Sequence, residues 1–385
     1  MKNLFKSQRR DLNLIALSLA IWSLGEGFFM IFQPIYLEQL GANPIKIGFI
    51  ISLSMVVIGF MHMPVGLISD HVSRKSIMVC SWVVGTLAAL IMGFAQTLTV
   101  YVLGLLLYSI TGAVIAPMNS YISDCKADWS DHQAFTYISA SFMVGYLVGP
   151  LLGGLLAERI GLRPLYFIAT LIFSLSTSLI FFLKDQPVQI AEGKPSARSL
   201  LRNRQFMLAC LLIFGIAFTT FLPNPLTSNF LHNERGVSLQ MLGIFGMVSS
   251  LGGIIFNLVL GKMHTWPIFF IGQTAVMVYS LSLLKGQSNL AFGFAYIMWG
   301  GYRVINAITS AVVRPLLHNA QMGFGFGLAE SAKSLALVLA PILAGYLYNQ
   351  RPSLVYEVSI ALGLGMLITL FLIGRMKDGF FRTKK

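Results

Sequence analysis

Lys184–Arg204, which reads KDQPVQIAEGKPSARSLLRNR, is the only long polar stretch in a chain of 385 residues, and it holds Pro187, Gly193, Pro195 and five lysines or arginines. Apolar runs dominate on either side of it. A bilayer core about 30 Å thick takes roughly 20 apolar residues of helix, more when the helix tilts. Such runs precede the polar stretch at Leu12–Tyr36, Ile47–Ile68, Ser76–Phe94, Val100–Ser123, Ala134–Ala157 and Pro164–Leu183. They follow it at Phe206–Phe230, Met241–Gly261, Pro267–Leu284, Leu290–Val313, Gly323–Tyr348 and Val355–Gly374. The pattern predicts an all-α integral membrane protein with twelve transmembrane helices: an N-terminal six-helix bundle over 1–183, a linker over 184–204 and a C-terminal six-helix bundle over 205–385.

Composition agrees. Hydrophobic residues make up 56% of the chain and charged residues 11%, with mean hydropathy +0.75, whereas a soluble domain carries charge on about a quarter of its residues. The net charge of +13 does not point to nucleic acid, because the bases sit at helix ends and in short loops. Eighteen lysines and arginines flank the spans on the side of the N-terminus and six on the other, so both termini and the linker are expected in the cytoplasm. The opening MKNLFKSQRRD resembles the basic region of a secretory signal. The apolar run behind it is too long, contains Glu26 and lacks a small-residue cleavage site, so it reads as the first span. Cys80, Cys125 and Cys210 lie within or beside apolar runs and suggest neither a disulfide framework nor a metal site. No cofactor is implied. The absence of an Asn-x-Ser/Thr sequon fits a bacterial inner membrane, and no phosphate-binding Gly-Lys-Ser/Thr loop suggests that ATP drives the protein.

The two halves echo each other. Gly41, Gly48 and Gly66 recur at Gly236, Gly243 and Gly261 with a constant offset of 195 residues, and Pro150 and Gly154 recur at Pro341 and Gly345 with an offset of 191. Matching order and spacing in both halves is the sequence trace of a duplicated transporter fold.

After the second span stands Gly66-Leu67-Ile68-Ser69-Asp70-His71-Val72-Ser73-Arg74-Lys75. It resembles the loop signature of the major facilitator superfamily, G-x-L-a-D-r-x-G-r-[RK], with Gly66, Asp70, Arg74 and Lys75 retained and Ser73 in place of the second glycine. The six-plus-six layout matches that family over essentially the whole chain. The resemblance implies two pseudo-symmetric six-helix bundles, with Asp70 meeting the end of the eleventh helix, where the helix dipole favours negative charge. In the fifth span Gly145, Gly149, Pro150, Gly153 and Gly154 are similar to the G-x-x-x-G-P-x-x-G-G motif of the family's proton-linked drug exporters. Small residues four apart let another backbone approach closely, and Pro150 disturbs the bond to Tyr146 and permits a bend; ordinary helix packing would use the same residues. In the fourth span the exporters place an arginine four residues before a glycine. With Gly112 as that glycine, this chain has Tyr108 there instead.

An ionisable side chain at mid-membrane costs about 2.5 to 3.5 kcal/mol on insertion scales, so it usually faces a cavity or a partner. Glu26 in span 1, Arg303 in span 10, and Glu330 with Lys333 in span 11 qualify. Glu330 and Lys333 stand three apart on one helical face and can neutralise each other. For Glu26 and Arg303 the sequence offers no opposite charge within a turn of their own helices, and in the resembled fold spans 1 and 10 line the central cavity. Trp22, Gln33, Asn119, Trp299 and Asn306 are the aromatic and polar companions expected of a cavity for amphipathic organic molecules, although aromatics at helical spacing also serve plain packing. Asp124 ends span 4 as an expected solvated charge, and Pro223-Asn224-Pro225 is expected to break span 7. The leading expectation is a monomeric secondary transporter that exports a small lipophilic or cationic compound in exchange for protons, through Glu26 or Glu330. The alternatives are uptake or exchange of an anionic metabolite through Arg303 and Lys333, and a non-transporting receptor, for which the extramembrane loops look too short.

Overall fold

A computed structural model of the chain describes residues 2–69, 72–185, 203–261, 263, 265–308, 312–317 and 322–375. In the first half the helices are α1 (Lys2–Gly27), α2 (Gln33–Gln39), α3 (Pro44–Ser69), α4 (Arg74–Phe94), α5 (Leu98–Ile110), α6 (Ile115–Cys125), α7 (Asp131–Ile160) and α8 (Arg163–Phe181). In the second they are α9 (Arg204–Phe221), α10 (Leu239–Leu260), α11 (Thr265–Lys285), α12 (Asn289–Met298), α13 (Gly300–Ile308), α14 (Met322–Gln350) and α15 (Leu354–Arg375). Among the described residues, eleven helical segments are long and apolar enough to cross a membrane. The tenth expected span is divided into α12 and α13, each too short to cross alone.

The interruptions follow from local chemistry. α1 ends at Gly27 in tight turns, with Phe28 N bonding Gly25 O and Phe29 N bonding Glu26 O, both at 3.2 Å, and Pro34, which cannot donate to the carbonyl four residues before it, opens α2. Pro117 likewise stands near the start of α6 in span 4, where a 3₁₀ segment, Thr111–Val114, separates α5 from α6. α9 stops at Phe221 ahead of Pro223 and Pro225, and a wide π-type turn over Phe230–Glu234 completes that span. Pro64, Pro150 and Pro341 lie inside continuous helices.

The chain divides into two compact units. One comprises Met1–Ala42, Leu53–Glu192 and Ser238–Met247; the other comprises Asn43–Ser52, Gly193–Val237 and Val248–Lys385. The first turns of α3 and of α10 thus each belong to the unit built mainly from the opposite half of the sequence.

In the first unit α1 runs between α7 and α8, and α4 lies against α8 and α5. With little hydrophobic drive between helices in lipid, interhelical hydrogen bonds help hold them together. The Trp82 indole N–H reaches the Ser18 and Ser176 hydroxyls at 3.0 Å each, and the Thr86 and Thr177 hydroxyls meet at 2.9 Å. Near the start of α1 the Tyr121 phenol lies 3.0 Å from the buried Asp11 carboxylate and 2.7 Å from the Lys184 carbonyl, joining spans 1, 4 and 6.

In the second unit α9 packs on α14, and α11 packs on α12, α13 and α15. Phe206, Ile213, Ile216, Phe269, Val313 and Leu370 form its apolar core. The broken end of span 7 is held by Thr227, whose hydroxyl accepts from the Tyr279 phenol at 3.0 Å and the Tyr356 phenol at 3.2 Å. Outward faces are apolar, with Leu171, Leu258 and Leu290 among the most exposed residues, which is what a lipid-facing surface requires.

Candidate transport site

The expected site residues fall into two groups, one in each unit. Glu26 is the next-to-last residue of α1 and is partly exposed, while Trp22, Gly25, Gly27, Phe28 and Phe29 around it are buried. Its carboxylate lies beside the phenol of Tyr108, whose ring in turn stacks on the Trp22 indole. Tyr108 is buried and lies in an aromatic stack, with Trp22 at 6.2 Å and Phe173 at 6.0 Å between ring centroids, and Trp22 and Phe173 stack at 4.0 Å. The position at which the resembled exporters carry arginine therefore holds a neutral phenol beside the carboxylate of span 1. Sequence spacing pointed to Tyr108 as a departure but gave no sign of its partner, because the contact joins two spans. Trp22 is a packed element of this stack. Gln33, in the first turn of α2, is partly exposed, and Asn119 in α6 is exposed.

In the second unit Arg303 sits one turn after the interruption between α12 and α13 and is partly exposed. Its aliphatic stem crosses Gly253 of α10 so closely that a methyl group there would come within 2.5 Å of the Arg303 Cδ. One residue earlier, Gly252 admits the backbone of Ile297 and Gly300. The Gly252–Gly253 pair was not singled out by the repeat pattern; two adjacent glycines inside an apolar helix are the signal that marks it. Trp299 is buried, stacked on Tyr302 at 4.6 Å and tilted against Tyr279 at 5.0 Å, while Asn306 is exposed. Glu330 and Lys333 form an ion pair at 2.5 Å within α14.

The signature loop is tied to its own unit. Arg74 pairs with Asp124 and Lys75 Nζ lies 3.6 Å from Asp185, so Asp124 is an ion-paired residue and not the merely solvated charge expected at the end of span 4. Gly66 lies in the last turn of α3, and Asp70 lies outside the described residues. Beyond that loop, Lys126 binds Asp131 at 2.8 Å and holds its carboxyl below the usual aspartate range.

The fifth-span motif divides by direction. Gly145, Gly149 and Gly153 face α1 and its end: a methyl group on Gly149 would meet Leu24 O at 2.5 Å and Gly27 Cα at 2.8 Å, and one on Gly153 would meet Phe28 O at 2.6 Å. Pro150 and Gly154 face α10, where Gly243 touches the Pro150 carbonyl and Gly154 Cα. In the other unit Gly48 of α3 likewise touches the Pro341 carbonyl and Gly345 of α14. Of the repeated residues, Gly48 with Pro341 and Gly345, and Gly243 with Pro150 and Gly154, are thus partners of one another.

Known proteins with this arrangement are membrane transporters. The family model of the Major Facilitator Superfamily matches residues 15–302. Multidrug resistance protein 1 of Bacillus subtilis (strain 168) is 21% identical over 93% of this chain and 95% of its own length, and the multi-drug resistance efflux pump PmrA homolog of Lactococcus lactis is 24% identical over 87% and 89%. Multidrug resistance protein MdtG of Rahnella sp. (strain Y9602) is 25% identical over 63% of this chain and 62% of its own length. Among solved structures, the nucleoside transporter NupG superposes with TM-score 0.77 at 15% identity, covering 97% of this chain and 100% of that one. A bacterial homolog of the human lysosomal transporter Spinster superposes with TM-score 0.76 at 14% identity, covering 98% and 99%. The chain belongs to the Major Facilitator Superfamily and is a multi-pass membrane transporter.

Proposed function

We propose that this transporter exports a small lipophilic or cationic organic compound in exchange for protons, and that Glu26 is the carboxylate that exchanges them. The observation that carries this reading is the contact between Glu26 and Tyr108. A carboxylate within a span is costly unless it meets a cation, faces a cavity or takes up a proton; here it lies beside a phenol, which carries no charge. Glu26 stands at a helix interruption, and irregular backbone within a membrane occurs where it is buried in protein or lines a water-filled cavity. The relatives named for multidrug resistance support the substrate class, and their bacterial sources together with the basic bias of the loops support an inner-membrane protein with both termini in the cytoplasm.

The anionic-substrate reading would use Arg303 and Lys333 as a pair of cations. Lys333 is engaged by Glu330 at 2.5 Å, which takes one cation out of that pair and disfavours the reading. Reconstituted vesicles separate the two. An imposed proton gradient should drive accumulation of a lipophilic cation such as ethidium or tetraphenylphosphonium, and organic anions should not compete. Anion-dependent uptake with no response to the gradient would support the second reading instead.

A further inference from the structure

The start of α1 carries a groove that the transport reading does not use. It is open, has a volume of about 550 Å³ and is lined by Arg9, Arg10, Asn13, Leu14 and Leu17. Two of its lining residues, Arg9 and Asn13, are tied to neighbouring side chains. The Arg9 guanidinium lies 5.8 Å from the Trp129 ring centroid, Trp129 meets Tyr137 edge-on at 5.4 Å, and the Tyr137 phenol donates to Asn13 Oδ1 at 3.3 Å. Arg9 approaches Asp128 at 3.7 Å, but both side chains are more than half exposed, so that pair is weak and screened. Arg10 is exposed and pairs with no carboxylate among the described residues.

Along the groove the chemistry changes in a fixed order: guanidinium groups first, then the Asn13 amide, then Leu14 and the half-exposed Leu17. The helix rises about 10 Å from Arg10 to Leu17, which takes the lining from the headgroup level into the hydrocarbon, and tryptophan and tyrosine beside the basic end are the residues that membrane interfaces favour. We propose that this groove binds one anionic glycerophospholipid of the adjoining leaflet, with its phosphate on Arg9 and Arg10 and an acyl chain over Leu14 and Leu17. Charge complementarity selects an anionic headgroup, and the apolar floor selects a lipid over a free phosphate. The site needs only that α1 enters the membrane at this end; it stands whether or not Glu26 carries protons.

Full-length protein in nanodiscs of phosphatidylcholine containing a minority of phosphatidylglycerol tests the proposal, with retained lipid counted by native mass spectrometry. The wild type should carry one phosphatidylglycerol enriched about tenfold over the bulk mixture. Arg9→Gln with Arg10→Gln should lose the enrichment. Leu17→Trp keeps both charges but fills the groove, and should lose most of it. Equal retention of the two lipids by the wild type, full enrichment in Leu17→Trp, or complete displacement of the lipid by inorganic phosphate would each overturn the proposal.

Discussion

Gly243 and Gly154 are so close that a methyl group on Gly243 would stand 2.8 Å from the Gly154 Cα, and Gly345 stands to Gly48 in the same way at 3.3 Å. Each crossing joins a helix start to a proline-containing helix from the other half of the sequence. Gly243→Leu sets a side chain against the Pro150 carbonyl and the Gly154 Cα, which are backbone and cannot swing aside, and should lower stability by about 1 to 3 kcal/mol and reduce transport by about tenfold or more. Gly149→Leu overpacks the α1–α7 contact inside one unit and should lower stability by about 1 to 3 kcal/mol. Transport in vesicles and thermal melting in detergent measure both. Transport by Gly243→Leu that falls only in proportion to the lost folded protein would show that the crossing serves packing alone.

Tyr108→Phe removes the hydroxyl that meets Glu26 and keeps the ring in its stack with Trp22 and Phe173. Stability should change by no more than about 1 kcal/mol, since only a hydroxyl is lost, while the pH dependence of transport changes. Tyr108→Arg sets a permanent cation beside the carboxylate, and transport should then respond to pH over a lower range. An unaltered pH profile in both variants would remove Tyr108 from proton handling.

The paired charges of α14 invite a double-mutant cycle. Lys333 is mostly covered and Glu330 about half exposed, 15% and 47%, so Glu330→Gln alone leaves a largely desolvated ammonium and should cost about 1 to 3 kcal/mol. Glu330→Gln combined with Lys333→Met should recover much of that loss and retain proton-driven transport. Loss of coupling in the stable double variant would move proton exchange to α14.

Asp131 offers a contrast outside the membrane. Lys126 holds its carboxyl below the ordinary range, so the pair contributes above that range and the contribution fades as pH falls through the lowered value. Asp131→Asn should flatten only the acid limb of thermal stability and leave transport at neutral pH unchanged. A transport defect at neutral pH would give this loop a part in turnover.

Hydropathy alone makes the spans legible, because an apolar run of about 18 residues matches the bilayer core and is longer than a buried helix of a soluble domain needs. The repeated glycines were legible as a repeat but not in their reasons. Gly41 and Gly236 adopt left-handed backbone at φ 90° and 65°, where a side chain is disfavoured, whereas Gly48 and Gly243 make room for a neighbouring backbone. The interruptions after Gly27, at Thr111–Val114 and at Trp299 were hidden, since averaging over a span conceals where a proline or glycine breaks it. The Glu26–Tyr108 contact was hidden for a different reason. It joins spans separated by some eighty residues, and periodicity within a helix says nothing about which neighbour it meets.

The central claim is that Glu26 exchanges protons, and Glu26→Gln tests it most directly because the amide imitates the protonated acid and cannot release a proton. Wild-type and variant protein would be reconstituted into vesicles, with accumulation of a fluorescent lipophilic cation measured under an imposed pH gradient and its downhill exchange measured without one. The predicted result is a variant that folds and exchanges substrate downhill but no longer accumulates it when the gradient is applied. A variant that accumulates substrate as the wild type does would contradict the claim and leave Glu26 with a structural role beside Tyr108.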